Sequence, residues 1–293
     1  MINLAVCRLV TLIFSRATSW TMAALLVSLL AAAHLFVAAS AFDNIASNRR
    51  VALQRVGLGI LGGTAILPQP SQAAAADEEL IDVYFGCGCF WHVQHEFVVA
   101  EQRILGRSDE DLTARTGYAG GRARDDLVCY HNARGVGDYG KLGHAEVVAL
   151  SIPPSSFPAF AEEYFKLFDD KGNRPDQFGD RGPEYRNLVG VPGGGKGPYA
   201  KQLVSASLAQ GDKLDFAIGK GDDRDARAVS FVMDTADFPL HVAEQYHQFH
   251  DGFNLNENYP NSYNGLASKL ADKGKLEKSM CPNGWVGVGV GGL

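Results

Sequence analysis

The chain has 293 residues, 46% of them hydrophobic and 20% charged, with 33 glycines, 12 prolines and 5 cysteines. That is too apolar for a disordered chain and too poor in cysteine for a disulfide-stapled miniprotein. Five arginines and one acid, Asp43, lie up to Ala76, which leaves 22 basic against 32 acidic residues beyond it, a net of −10 that argues against nucleic acid as a partner.

In chain order, Met22 to Ala39 comes first, an apolar run behind Arg8 and Arg16 that ends in small residues, as a secretory signal does. Its length also approaches that of a membrane helix, but Ala39-Ser40-Ala41 offers a cleavage site directly after it. Ala39-Ser40-Ala41-Phe42 resembles the signal/transit junction of plastid proteins in algae with secondary plastids. Arg49-Arg50, the apolar Val56–Gly63 stretch and Ala73–Ala76 then resemble a twin-arginine export signal. Residues 1–76 therefore read as a leader addressed to a plastid and its thylakoid lumen, the plainer alternative being a secreted protein. Residues 77–280 read as the functional domain and 281–293 as a flexible Cys/Gly-rich tail. No membrane attachment is expected once the leader is removed.

Ile81 to Phe85 alternates polar with β-branched or aromatic residues and predicts a strand, broken by Gly86-Cys87-Gly88-Cys89. Phe90 to Leu105 has a helical period with Phe90, Val93, Phe97, Val98 and Ile104 on one stripe. Strands are predicted at 144–152 and 226–233, and helices at 153–168, 199–210 and 239–249. This alternation points to a layered sheet-and-helix domain. Polar loops fill 122–142, 169–186 and 254–263, lengths that are often functional.

Cys89 falls where a strand hands over to a helix, a place where free N–H groups and the helix dipole lower a thiol pKa. The alternative is a small buried hydrophobe. Read singly, Tyr118 could equally be a strand-end core aromatic, Tyr185 a loop staple and Asp180 an Asx-turn residue.

Gly88-Cys89-Phe90-Trp91 is similar to the GCFW motif of the A-type peptide methionine sulfoxide reductases. Thr116–Gly121 resembles the family's GYAGG, Gly143–Val147 its GHAEV, Gly179–Arg186 its GNDxGTQYRS and Ala243–Gln248 its AExYHQ. Five motifs in one order are far more specific than any single one. The resemblance implies an α+β, ferredoxin-like two-layer fold with extended loops. It implies thiol-dependent reduction of methionine S-sulfoxide, free or in proteins, with Cys89 as nucleophile becoming a sulfenic acid. Tyr118 and Tyr185 would hold the sulfoxide oxygen, Asp180 their polar network, and Phe90 and Trp91 the S-methyl group.

The match departs where the family is expected to carry a proton-donating Glu two residues before a Cys. Leu127 stands there, before Cys129, and Asp126 is the substitute this reading selects. Candidate resolving thiols are Cys281, Cys87 and Cys129. The resemblance further implies a thioredoxin-type dithiol donor, no organic cofactor, no metal and a monomer. Competing readings are a catalytically impaired binder of oxidised-Met peptides and a Cys/His hydrolase, the second prompted by His144, His241, His247 and His250.

Overall fold

The computed structural model describes residues 78–122, 127–175, 179–251, 259–276 and 279–282. The whole leader, Asp126 and the tail after Pro282 lie outside the described residues.

Seven strands form one mixed sheet: β1 (Ile81–Gly86), β2 (Arg115–Ala119), β3 (Ala145–Ile152), β4 (Leu188–Val191), β5 (Asp215–Ile218), β6 (Val229–Asp234) and β7 (His241–Val242). Their order is β5-β6-β4-β1-β3-β2-β7. Among the described residues four helices accompany them: α1 (Phe90–Leu105), α2 (Phe157–Lys166), α3 (Tyr199–Ala209) and α4 (Asn261–Asp272). The central β4-β1-β3-β2 block is wholly antiparallel and follows a β-α-β-β-α-β chain order, the ferredoxin-like split βαβ arrangement. β6 extends it in parallel beside β4, β5 lies parallel to β6, and β7 closes the far edge against β2.

The apolar stripe of α1 builds the core. Phe90, Val93, Phe97 and Val98 are buried against Phe85, Phe157, Phe160 and Tyr164, with Phe85 and Phe97 stacked at 4.8 Å. Ile104 is only partly buried at the helix end, where Gly106 takes φ 65° and donates its N–H to Gln102 O. Two polar side chains of α1 are buried with their partners made. Glu101 accepts from Thr113 N and Ala114 N and pairs with Arg107, and Gln94 Nε2 donates to Ala114 O.

The predicted helix over 239–249 is absent. The segment is β7 followed by a single 3-10 turn at Gln245–His247, and Phe249 adopts φ 53°. Extended backbone is favoured here because β2 offers an edge to pair with. Gln248 then spends its amide on that edge, Oε1 accepting from Thr116 N and Nε2 donating to Thr116 O and Ala243 O. Sheet pairing has overridden a weak local period. The predicted helix over 153–168 resolves into a 3-10 turn at Pro154–Ser156 and then α2, because Pro153, Pro154 and Pro158 restrict the start. The loop read over 254–263 overruns the start of α4, which begins at Asn261.

Candidate active site

β1 ends at Gly86, and Gly88 turns the chain at φ 83°, a left-handed value that glycine adopts without strain. Cys89 follows as the N-cap residue of α1 with extended backbone. Neither Cys87 nor Cys89 is in a disulfide. Cys87 is fully packed and burial pushes its thiol up to about 12.

Cys89 is 6% exposed. Its thiol is held well above the ordinary range, chiefly by burial and then by the nearby Glu146 carboxylate, against which the N–H groups of Trp91 and His92 pull downward. The helix terminus thus acts in the expected direction and is outweighed. The resting group is a thiol, in correction of the depressed pKa that position alone suggested.

The acid beside Cys89 is Glu146, which Ala145–Ile152 places on β3. It is 2% exposed, accepts from Phe90 N at 3.0 Å and from Tyr139 OH at 3.2 Å, and its pKa is raised to about 8, chiefly by burial. Sequence reading passed over this residue, although a lone acid inside an otherwise apolar strand was the signal available. A carboxyl held neutral near pH 7 can donate a proton, which Leu127, 41% exposed, cannot.

Three phenols gather around that carboxyl. Tyr139 is fully buried and bonded to it, while Tyr130 and Tyr185 are half-buried. The hydroxyl pKa of each is raised, first by burial and next by the charge of Glu146; for Tyr130 and Tyr185 the proximity of Cys89 adds to the effect. These hydroxyls therefore stay protonated. Tyr130 and Tyr139 belong to the loop read over 122–142, whose tyrosines sequence reading did not single out.

Tyr118 is placed differently from its expected role. Its ring is fully buried, stacked on Tyr139 at 4.6 Å, and its hydroxyl donates to Glu244 Oε2 at 2.8 Å. A phenol whose proton is committed to a buried carboxylate is not offered to a substrate oxygen, so Tyr118 backs the cluster from behind.

Tyr185 is positioned by its backbone as much as by its ring. Its carbonyl accepts from Gly88 N at 3.0 Å and from Arg174, tying the 3-10 turn Pro183–Tyr185 to the cysteine loop. Asp180 is half-buried, with a carboxyl raised mainly by burial against the pull of Arg174 and Arg181, and its buried Oδ2 has no partner. Beneath lies Arg186, fully buried, whose Nη2 donates to Gly120 O at 2.8 Å and Gly143 O at 3.0 Å and whose Nη1 donates to Pro183 O at 2.7 Å. One guanidinium thereby joins the 116–121, 143–147 and 179–186 motifs.

Phe90 is buried between Tyr118 and His247, at ring separations of 5.9 and 5.2 Å. Trp91 is half-buried, donates its indole N–H to His247 Nδ1 at 3.2 Å and packs on His250 at 4.0 Å. His247 thus orients an aromatic wall. His144 is held neutral, its pKa lowered to about 3 chiefly by burial, and its Nδ1 accepts from Gly121 N. A neutral, buried His144 whose Nδ1 is committed to Gly121 N is not arranged as the base of a hydrolase.

Cys129 and Cys281, both named as resolving candidates, are joined to each other by a disulfide. Glu244 lies beside them, and among the described residues this is the group whose ligand atoms approach within 4.8 Å, as a metal site would require. A disulfide offers no thiolate, and both Glu244 oxygens are occupied, Oε1 by Tyr130 N and Oε2 by Tyr118 OH. The arrangement does not suit a metal in this state.

A family model described as peptide methionine sulfoxide reductase matches residues 81–278. The peptide methionine sulfoxide reductase MsrA of Vibrio vulnificus (strain CMCP6) is 24% identical over 212 residues, covering 70% of this chain and 84% of its own. Methionine sulfoxide reductase A of Corynebacterium diphtheriae is 19% identical, with a TM-score of 0.37, covering 78% of this chain and 93% of its own. The reduced form of Mxr1 from Saccharomyces cerevisiae is 20% identical, with a TM-score of 0.38, covering 62% of this chain and 92% of its own.

Proposed function

Because the chain belongs to the peptide methionine sulfoxide reductase family, we propose that Cys89 and Glu146 together carry out that family's reaction, reduction of methionine (S)-sulfoxide to methionine. The observation that carries this reading is a buried carboxyl, raised to about 8, beside an equally buried thiol at a helix start.

The steps follow from the protonation states. A sulfoxide oxygen is a poor leaving group until negative charge building on it is met by hydrogen-bond donors. Neutral Glu146 supplies the proton, Tyr139 OH holds that carboxyl in place, and the protonated phenols of Tyr130 and Tyr185 line the position where that oxygen arrives. Phe90 and Trp91 form the apolar side, suited to an S-methyl group. The Cys89 sulfur bonds to the sulfoxide sulfur, and the thiol proton replaces the one that Glu146 gives to the oxygen, so that the carboxyl ends the step neutral. Oxygen then passes to Cys89, leaving methionine and a Cys89 sulfenic acid, so that one sulfur loses two electrons and the other gains them. The exposed position of Leu127 no longer argues for an inactive binder, since Glu146 provides the acid. Asp126 lies outside the described residues and has no part in this scheme.

A second thiol condenses with the sulfenic acid, forming a disulfide and water. Cys281 or Cys129 serves once a dithiol reductant, of the thioredoxin type, has opened the bond between them. Electrons pass through cysteines, so the scheme needs neither an organic cofactor nor a metal. The oxidised substrates are methionines in proteins as well as the free amino acid. Among the described residues no helix is long and apolar enough to cross a membrane. The order of signals in residues 1–76 supports delivery to a plastid and its lumen, which a fluorescent fusion of that segment tests directly.

The decisive experiment incubates protein lacking the leader with dithiothreitol and each sulfoxide epimer. Methionine formed from the S epimer, and lost in Cys89→Ser and Glu146→Gln, supports the assignment. Turnover that survives either substitution rejects it.

A further inference from the structure

The loop after Cys129 carries one more arrangement that the reaction scheme does not use. His131 stands between two carboxylates: its Nδ1 is 3.1 Å from Asp138 Oδ2 and its Nε2 is 3.1 Å from Glu184 Oε2. Asp138 belongs to the same loop, whereas Glu184 belongs to the Pro183–Tyr185 turn. The turn is seated closely on the loop, for a Cβ on Gly140 would lie 1.8 Å from Glu184 Oε1.

We propose that His131 is a positioning residue, its imidazolium clasping the 129–142 loop to the 183–185 turn and so holding the Tyr130/Tyr139 wall and the Tyr185 wall of the substrate site at a fixed separation. The residues on either side of the clasp are those of the site. Tyr130 precedes His131, Tyr139 follows Asp138, and Tyr185 follows Glu184. The His131 ring also packs on Tyr139 at 4.8 Å and on Tyr130 at 5.2 Å. Asp138 is fixed independently, its Oδ1 accepting from Lys141 N at 3.2 Å with Lys141 Nζ 3.9 Å from Oδ2.

The chemistry of the ring makes the clasp conditional. A neutral imidazole has one N–H and can donate to one carboxylate only, whereas the imidazolium donates to both. Burial lowers the His131 pKa, but the hydrogen bonds and charges of Asp138 and Glu184 outweigh it and the net direction is upward. With the ring 40% exposed and Glu184 32% exposed, the pair is partly screened and its effect is modest. α1 and β3 set the backbone positions of Cys89 and Glu146, so the clasp bears on the phenol walls more than on the reacting groups. The inference therefore concerns substrate binding, and it rests on the sulfoxide reductase reading given above.

The test compares the pH dependence of KM for methionine sulfoxide in wild type, His131→Ala and Glu184→Gln. Wild-type KM should be lowest while His131 is charged and rise as it titrates, meeting that of both variants at the alkaline end. At lower pH the variants should show KM raised roughly fivefold to tenfold and flat with pH, with kcat within a factor of about two of wild type. KM curves that track wild type in both variants, or a loss confined to kcat, would overturn the clasp. NMR titration of His131 gives a reading independent of turnover: its pKa should fall in Glu184→Gln, and an unchanged value would also reject the proposal. Absence of sulfoxide turnover in wild type would defeat the parent reading instead, with the NMR result still judging the clasp.

Discussion

Tyr139 and Glu146 lie seven residues apart, and the phenol of the first donates to the carboxyl of the second at 3.2 Å. The pair spans the junction between a loop and β3, so the acid is gripped from both sides, by Tyr139 OH and by Phe90 N at the start of α1. Both donors favour the charged form, but burial outweighs them and, with Asp180 and Glu184 nearby, raises the carboxyl to about 8.

If Glu146 is the proton source, single-turnover oxidation of Cys89 by methionine sulfoxide should fall as pH rises through about 8. Glu146→Gln should remove that limb and slow the step by about 10²–10⁴. Rapid-quench measurement of methionine release against pH checks both; a rate that keeps rising above pH 9 would speak against the assignment.

The same residue makes a prediction about stability with the opposite sign. Glu146 has a folded pKa above its unfolded value, so the native state binds more protons. Stability is then greatest below the unfolded value of about 4.3 and declines as pH rises toward about 8. Glu146→Gln should melt at a higher temperature than wild type at pH 8 to 9, while being nearly inactive. Calorimetry at pH 6 and pH 8.5 should show the difference growing with pH.

The Cys129–Cys281 bond closes a loop of 152 residues in sequence separation. Cys281→Ser should lower stability by about 2–4 kcal/mol under oxidising conditions and by little in excess dithiothreitol. Denaturant titration with and without reductant gives that comparison. Multiple turnover supported by a dithiol protein should fall as well, whereas the first turnover should be retained.

Arg186 is fully buried and its three bonded carbonyls come from three separate motifs. Arg186→Met removes the donors and leaves those carbonyls short of partners, at a cost of about 3–5 kcal/mol. Arg186→Lys should rescue little, because an ammonium cannot reproduce the planar fork. Urea melts of both variants against wild type provide the check.

The sequence spoke most clearly where a local rule and a tertiary demand agree. The period in Phe90–Leu105 became α1 with the same bounds, and alternation in Ile81–Phe85 became β1, because the stripe that is apolar locally is also the stripe the sheet covers. β2 and β4, at five and four residues, went unread because glycines at 117 and 190 thin their pattern, and β5 because it has only four residues. β7 was misread as helix because its pairing partner, β2, lies more than a hundred residues upstream. Glu146 was legible as part of a motif but not as an acid, since its protonation depends on what buries it. Tyr139 was hidden for the related reason that it lies in a long polar loop whose contacts the sequence does not show, although its ring completes the site.

That loop is rooted beside β3 by a set of contacts of its own: Arg122 N donates to Leu142 O, Gly121 N to His144 Nδ1, and Arg186 grips Gly120 and Gly143 together. Chain length between those anchors can drift over evolutionary time without disturbing the strand that bears Glu146. Families built this way can exchange the rim of the pocket, and with it the preferred oxidised peptide, as a cassette while the redox centre beneath stays fixed.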